Sequence, residues 1–216
     1  MRIDRVLPRV ALAVLLGCAV GVGSQGLLDE LAVAAANDRP DDVRKLIGRG
    51  MDPNSVDANG DTPLCIAARN GSARTIDVLL GAKADPNRPN RFNDTPLMLA
   101  SLNGNLDIVR KLIAAGAAID PPGWTPLIYA ATGGHDAVVT FLAQRGANLD
   151  AASPNGTTAL MMAIREHRLG TARLLIGRGA DVNHRNQDGA TALSWAKRGN
   201  ETDLEKELRR AGAKDF

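Results

Sequence analysis

The chain has 216 residues, 44% hydrophobic, 23% charged and only 3% aromatic, with a formal net charge of +2. That suits one soluble domain or one extended array, with small side chains closely packed in its core. The charge makes no general electrostatic case for nucleic acid: Arg2, Arg5 and Arg9 against Asp4 supply all of it, and the rest of the chain is nearly neutral.

Residues 1–24 read as a secretory signal peptide. The basic start MRIDRVLPR is followed by uncharged VALAVLLGCAVGVGS, which ends in small residues. Cleavage before Gln25 would put Val22 and Ser24 at the two positions that must be small. Two other fates fit the same stretch. The uncharged run 10–28 is long enough to span a bilayer uncleaved, which takes roughly 17–25 apolar residues, although GVGSQG at its end is poor membrane sequence. LLGC, at 15–18, is similar to a bacterial lipobox, in which Cys18 would be acylated and tethered. The expected compartment is therefore the periplasm or the exterior. Membrane contact follows only if Cys18 is lipidated or the N-terminal segment stays uncleaved. Cys65 is the only other cysteine, so the body holds no disulfide framework.

From residue 28 onward the chain is periodic, in units at 28–54, 55–87, 88–120, 121–150, 151–183 and 184–216. The first unit keeps LAVAAANDRPDDVRKLIGRG but lacks the motif that opens the others. Thr62, Thr95, Thr125, Thr158 and Thr191 begin TPLCIA, TPLMLA, TPLIYA, TALMMA and TALSWA, at spacings of 33, 30, 33 and 33. Threonine before proline predicts a helix start: the hydroxyl caps exposed amides, and proline at the first helical position loses no needed bond. Glycine follows at Gly71, Gly104 and Gly134, then the apolar positions of a second helix, such as Ile76 and Leu79 or Ile108 and Leu112. That helix ends at Gly50, Gly116, Gly146, Gly179 and Gly212, where a left-handed backbone is readily adopted. Lys83 holds this place in the second unit and is expected to be strained by about 1 kcal/mol. Gly60, Asn93, Gly123, Gly156 and Gly189 predict a positive φ two residues before each threonine, in hairpin-like loops. The third loop, DPPGW, is three residues short and its hairpin should be stunted. The last helix, in ETDLEKELRRAG, reads as a polar cap.

These motifs resemble the T-P-L-H-x-A signature and 33-residue period of the ankyrin repeat family, in particular its secreted or periplasmic bacterial type. The resemblance covers about 28–216, within a repeat domain expected over 25–216. It implies an all-α solenoid of about six stacked helix-turn-helix units with short projecting hairpin loops. The signature histidine, which ties neighbouring repeats by hydrogen bonds in the family, is replaced here by Cys65, Met98, Ile128, Met161 and Ser194. Apolar packing is thus expected to do more of the stacking.

The resemblance also implies a protein partner, another periplasmic protein among the candidates, gripped by the loop tips and the inner face of the first helices. The candidate partner-binding residues are Arg69, Arg91, Phe92, Asp94, Leu102, Asn103, Trp124, Thr132, Arg165 and Glu166. Phe92 and Trp124 stand out on adjacent loops in a chain nearly free of aromatics. Two readings stay open: they anchor an interface, or Trp124 folds over its shortened loop and Phe92 covers the gap beside it. Tyr129 and Trp195 lie within helix motifs and suit the core. His135, His167 and His184 fall in different units at or near turns, with no metal-ligand spacing. No phosphate loop, catalytic set or cofactor motif is present. Two other classes stay open, an enzyme or small-ligand-binding protein with an unrecognised site and a host-directed effector.

Overall fold

A computed structural model describes residues 25–215. The expected signal peptide, its cleavage point and Cys18 lie outside these residues. Six helix pairs follow in chain order: α1 (Gln25–Ala36) and α2 (Pro40–Gly48); α3 (Pro63–Asn70) and α4 (Ala73–Gly81); α5 (Pro96–Leu102) and α6 (Leu106–Ala114); α7 (Pro126–Gly133) and α8 (Asp136–Gln144); α9 (Ala159–Arg165) and α10 (Leu169–Gly177); α11 (Ala192–Arg198) and α12 (Thr202–Arg210). Among the described residues there is no strand beyond one isolated bridge, Ala152 to Thr158. The expected helical solenoid is what the chain forms.

Apart from α1, no helix among the described residues exceeds nine residues, too few to hold a helix in water without tertiary support. Support comes from both ends and from one face. Each motif threonine accepts the N–H three residues on, at 3.1–3.4 Å. The same apolar residues then recur in register along the stack. Leu64, Leu97, Leu127, Leu160 and Leu193 are buried, as are Ala67, Ala100, Ala130, Ala163 and Ala196. The alanines let consecutive odd-numbered helices lie close together. The even-numbered helices add Ile76 and Leu79, Ile108 and Leu112, Val138 and Leu142, Leu175, and Leu204 with Leu208. Fully burying each such side chain stabilises the fold by roughly 1.5–3 kcal/mol. Each odd helix packs on the next odd helix more extensively than each even helix on the next even one. The stack therefore curves, with the odd row and its loops on the inner side.

The backbone at the turns follows the sequence reading. Gly60, Asn93, Gly123, Gly156 and Gly189 all have positive φ, and Lys83 adopts φ +63° where other units have glycine. Polar joints accompany the apolar stacking throughout. Cys65 Sγ lies 3.6 Å from the Arg88 carbonyl and 3.8 Å from that of Asp94, so its thiol reaches the next unit's loop. Met98 and Ser194 turn inward instead, accepting the N–H of Thr95 and Thr191.

The main joint is an Asn or Asp side chain at the unit boundary. Asn54, Asn87, Asp120, Asp150 and Asn183 accept the backbone N–H of Asp85, Ala118, Asn148, Asp181 and Lys214, at 2.7–2.9 Å. Each acceptor reaches a matching amide one unit further on. Asn87 and Asn183 also donate Nδ2 to the carbonyls of Gly116 and Gly212. A second row of joints crosses the turns within the pairs. Ser72 donates to the Ala36 carbonyl, His135 Nε2 to that of Leu102 and Arg168 Nε to that of Thr132. In the first turn Asp38 is held ionised below the ordinary carboxylate range. Burial opposes this, but the Arg74 guanidinium and the Thr75 N–H outweigh it.

Candidate functional site

The loops before the threonines are built to project. Asp57 Oδ1 accepts the N–H groups of Asn59 and Asp61; Asn90 Oδ1 accepts those of Phe92 and Asp94; Asn186 Oδ1 accepts those of Asp188 and Ala190. Ser153 Oγ does the same for Thr157. The backbone closes each loop as well, with Asp57 N–H donating to the Asp61 carbonyl and Asn90 N–H to that of Asp94. An acceptor at the base thus fixes the turn and pushes the intervening side chains outward. The shortened third loop makes no such closing bond among the described residues. It forms a notch in the row of tips.

The two aromatics on these loops behave differently. Phe92 is 64% exposed, with the Arg91 guanidinium 4.8 Å from its ring centroid. Trp124 lies half-buried against the core at the floor of the notch, edge-on to Tyr129 with centroids 6.0 Å apart and planes at 83°. The tryptophan packs on the core, while the phenylalanine is presented to solvent.

Beneath the tips runs a polar chain across three units. Asp61 is only 5% exposed. It accepts both arms of Arg69 at 2.7 Å and Asn90 Nδ2 at 3.0 Å. The bond from Asp61 raises the Arg69 guanidinium's affinity for its proton. Asn103 donates to the Arg69 carbonyl, and Tyr129 donates its hydroxyl to Asp94. Burial first, then that carboxylate, pushes the Tyr129 phenol well above its ordinary range. Thr132 Oγ1 donates to the Ile128 carbonyl, and Arg165 pairs with adjacent Glu166. Of the ten candidate residues, Arg69, Asp94, Asn103, Thr132, Arg165 and Glu166 therefore already hold internal partners, which fix their orientation. Arg91 and Phe92 point outward, and Leu102 is half-buried beside Asn103. Such prior fixing reduces the side-chain entropy that a partner would have to freeze.

The three histidines do not converge. His135 and His184 donate to the carbonyls of Leu102 and Gly156, and His167 to the Glu201 carboxylate. Each joins neighbouring units. Cys65 is fully buried, and burial pushes its thiol up to about 11. Among the described residues no cluster of three or more His, Cys, Asp or Glu could hold a metal ion, and no helix is long and apolar enough to cross a membrane.

The Asp61–Arg69 pair and the boundary Asn/Asp joints are absent from the sequence reading. The joints had a visible signal, since an Asn or Asp recurs there at the spacing of the threonines. The pair had none, because Asp61 lies in the loop before α3 and Arg69 eight residues on, near the end of that helix.

A family model described as ankyrin repeats (three copies) matches residues 31–122 and 115–186. No curated protein matches the chain. The last helix pair extends beyond the matched residues and repeats the same capping and boundary joint.

Proposed function

The chain belongs to the ankyrin repeat family, whose repeats generally mediate protein–protein interaction and are typically non-catalytic, and from that premise we propose that it is a binding module of the bacterial envelope. In this reading residues 1–24 export it, and it holds one protein partner by shape and local chemistry, without catalysis. The partner lies along the inner face, with Arg91 and Phe92 as its central contact and the notch over Trp124 receiving a protruding segment. The observation that carries this reading is the exposure of Phe92 on a stiffened loop tip. An exposed aromatic buries much area at small entropic loss, and it gives nothing to the fold that its neighbours lack. The braced side chains of Arg69, Asp94 and Asn103 support it as a polar rim of fixed geometry.

The test is capture of partners from envelope extract on the immobilised chain. The comparison is with a chain carrying Arg91→Ala and Phe92→Ala, both exposed and therefore tolerable to the fold. Trp124 is left intact, since truncating it would also loosen the stack. Loss of a specific partner from the double variant is expected, and equal capture by both chains would refute the surface. Recovery of the protein with a free N-terminal Gln25 from the periplasmic fraction would support export and cleavage. An acylated Cys18 would place it on the membrane instead.

A further inference from the structure

On the outer row, two arginines from consecutive units cover one aromatic ring, and a third from the next unit bonds to the residue before it. Phe141 of α8 is only 6% exposed, although it lies on the outer row. Two guanidiniums cover it: that of Arg110 on α6 lies 4.7 Å from the ring centroid, and that of Arg145 at the end of α8 lies 4.8 Å from it. The two cationic carbons are therefore less than twice those distances apart. Arg178, at the end of α10, donates Nη2 to Thr140 Oγ1 at 3.2 Å, one residue before Phe141.

All three guanidiniums are on exposed residues, and none forms an ion pair among the described residues. The acids nearest in sequence are engaged elsewhere. Asp107 pairs with Lys111, Asp150 accepts the Asp181 N–H, and Asp181 accepts that of Asn183. The ring attracts the two cations against it, and Thr140 Oγ1 accepts from the third. These contacts hold the arginines in place without neutralising them. Three positive charges on neighbouring outer helices remain exposed, without a carboxylate partner among the described residues. A multiply charged oxyanion supplies what the cluster lacks, because guanidinium forks match phosphate oxygens in pairs.

We propose that Arg110, Arg145 and Arg178 form an oxyanion site on the outer face, taking a compact phosphate group from a free diphosphate-like ligand or from an anionic lipid headgroup. The site is made by α6, α8 and α10 and is independent of the loop tips, so it stands or falls separately from the protein-binding reading.

The test titrates the full chain with inorganic pyrophosphate by calorimetry. In parallel, sedimentation is measured with phosphatidylcholine vesicles, with and without phosphatidylglycerol. Each arm is compared with R110Q/R145Q/R178Q in the same full chain, so any contribution of residues 1–24 to vesicle binding cancels. Saturable binding that weakens as salt rises, and an affinity at least about tenfold lower in the triple variant, are expected in one arm or both. Binding confined to phosphatidylglycerol vesicles assigns the lipid source, and binding of pyrophosphate assigns the free one. Arg178→Gln alone leaves the cover over Phe141 intact and should weaken binding about threefold or more, whereas Arg173→Gln, engaged with Glu207, should leave it unchanged. Absence of binding in both arms, or equal binding by the triple variant, would overturn the site.

Discussion

Replacing Lys83 by glycine should make the protein more stable. Five of the six outer helices end on glycine, with φ between +88° and +94° at Gly50, Gly116, Gly146, Gly179 and Gly212. The second unit makes the same turn with lysine at φ +63°. Both backbone bonds of that turn are present, Lys83 N–H to the Leu80 carbonyl at 3.0 Å and Ala84 N–H to that of Leu79 at 2.9 Å. The exposed Lys83 side chain forms no ion pair among the described residues. A left-handed backbone costs an L residue about 1–2 kcal/mol. Glycine removes that strain but loses about 0.5–1 kcal/mol more conformational freedom on folding. The difference is a gain of about 0.5–1 kcal/mol. With a urea slope of about 2 kcal/mol per molar, the unfolding midpoint should rise by about 0.2–0.5 M. Lys83→Ala is the control, since it removes the same side chain and keeps the strain. A glycine variant no more stable than wild type, or an alanine variant gaining as much as glycine, would refute the reasoning.

Gly104→Ala should lower stability by about 2–3 kcal/mol in the same assay, since φ is +70° there and a Cβ would meet His135 Nδ1 at 2.3 Å. Gly116→Ala, also left-handed but with no atom within 4 Å of its Cβ, should lose only about 1 kcal/mol. Tyr129 is the only tyrosine, so phenolate absorbance reports on it alone. Its folded pKa lies above the ordinary 10.0, so the native state holds the proton more tightly. The stabilising contribution is full below pH 10 and is lost as pH climbs from there toward the folded value. Phenolate should thus appear together with loss of helical circular dichroism, and free titration of a still-folded chain near pH 10 would contradict the buried bond to Asp94. In a Cys18→Ala background the Cys65 thiol should resist Ellman's reagent until urea unfolds the chain, and prompt native reaction would show that the thiol is accessible.

The features legible in the sequence are those carried within one unit. The Thr62 cap, the Gly60 turn and the alignment of Leu64 with Leu97 depend on neighbours a few residues away or on strict repetition, and both leave a visible pattern. Contacts between units are harder to read. Asn87 is an ordinary loop asparagine until the next unit brings the Ala118 amide to its side chain. Arg110 meets Phe141 only because two outer helices stack in register. The loop aromatics show the same limit, since composition singled out both Phe92 and Trp124 but only packing separates the exposed ring from the half-buried one. Replacement of the family histidine suggested that apolar packing does more of the stacking; Cys65 and the boundary acceptors add polar links that no single motif contains.

The boundary joint has a consequence for how such a chain grows or shrinks. Asn54, Asn87, Asp120, Asp150 and Asn183 all present the same acceptor to the same kind of amide. Cutting out one full period would bring Asp150 against the amide of Lys214 in place of Asp181, hook and eye still matching. Length is therefore a variable that gene duplication or deletion can change in whole steps, without redesign of any surviving seam.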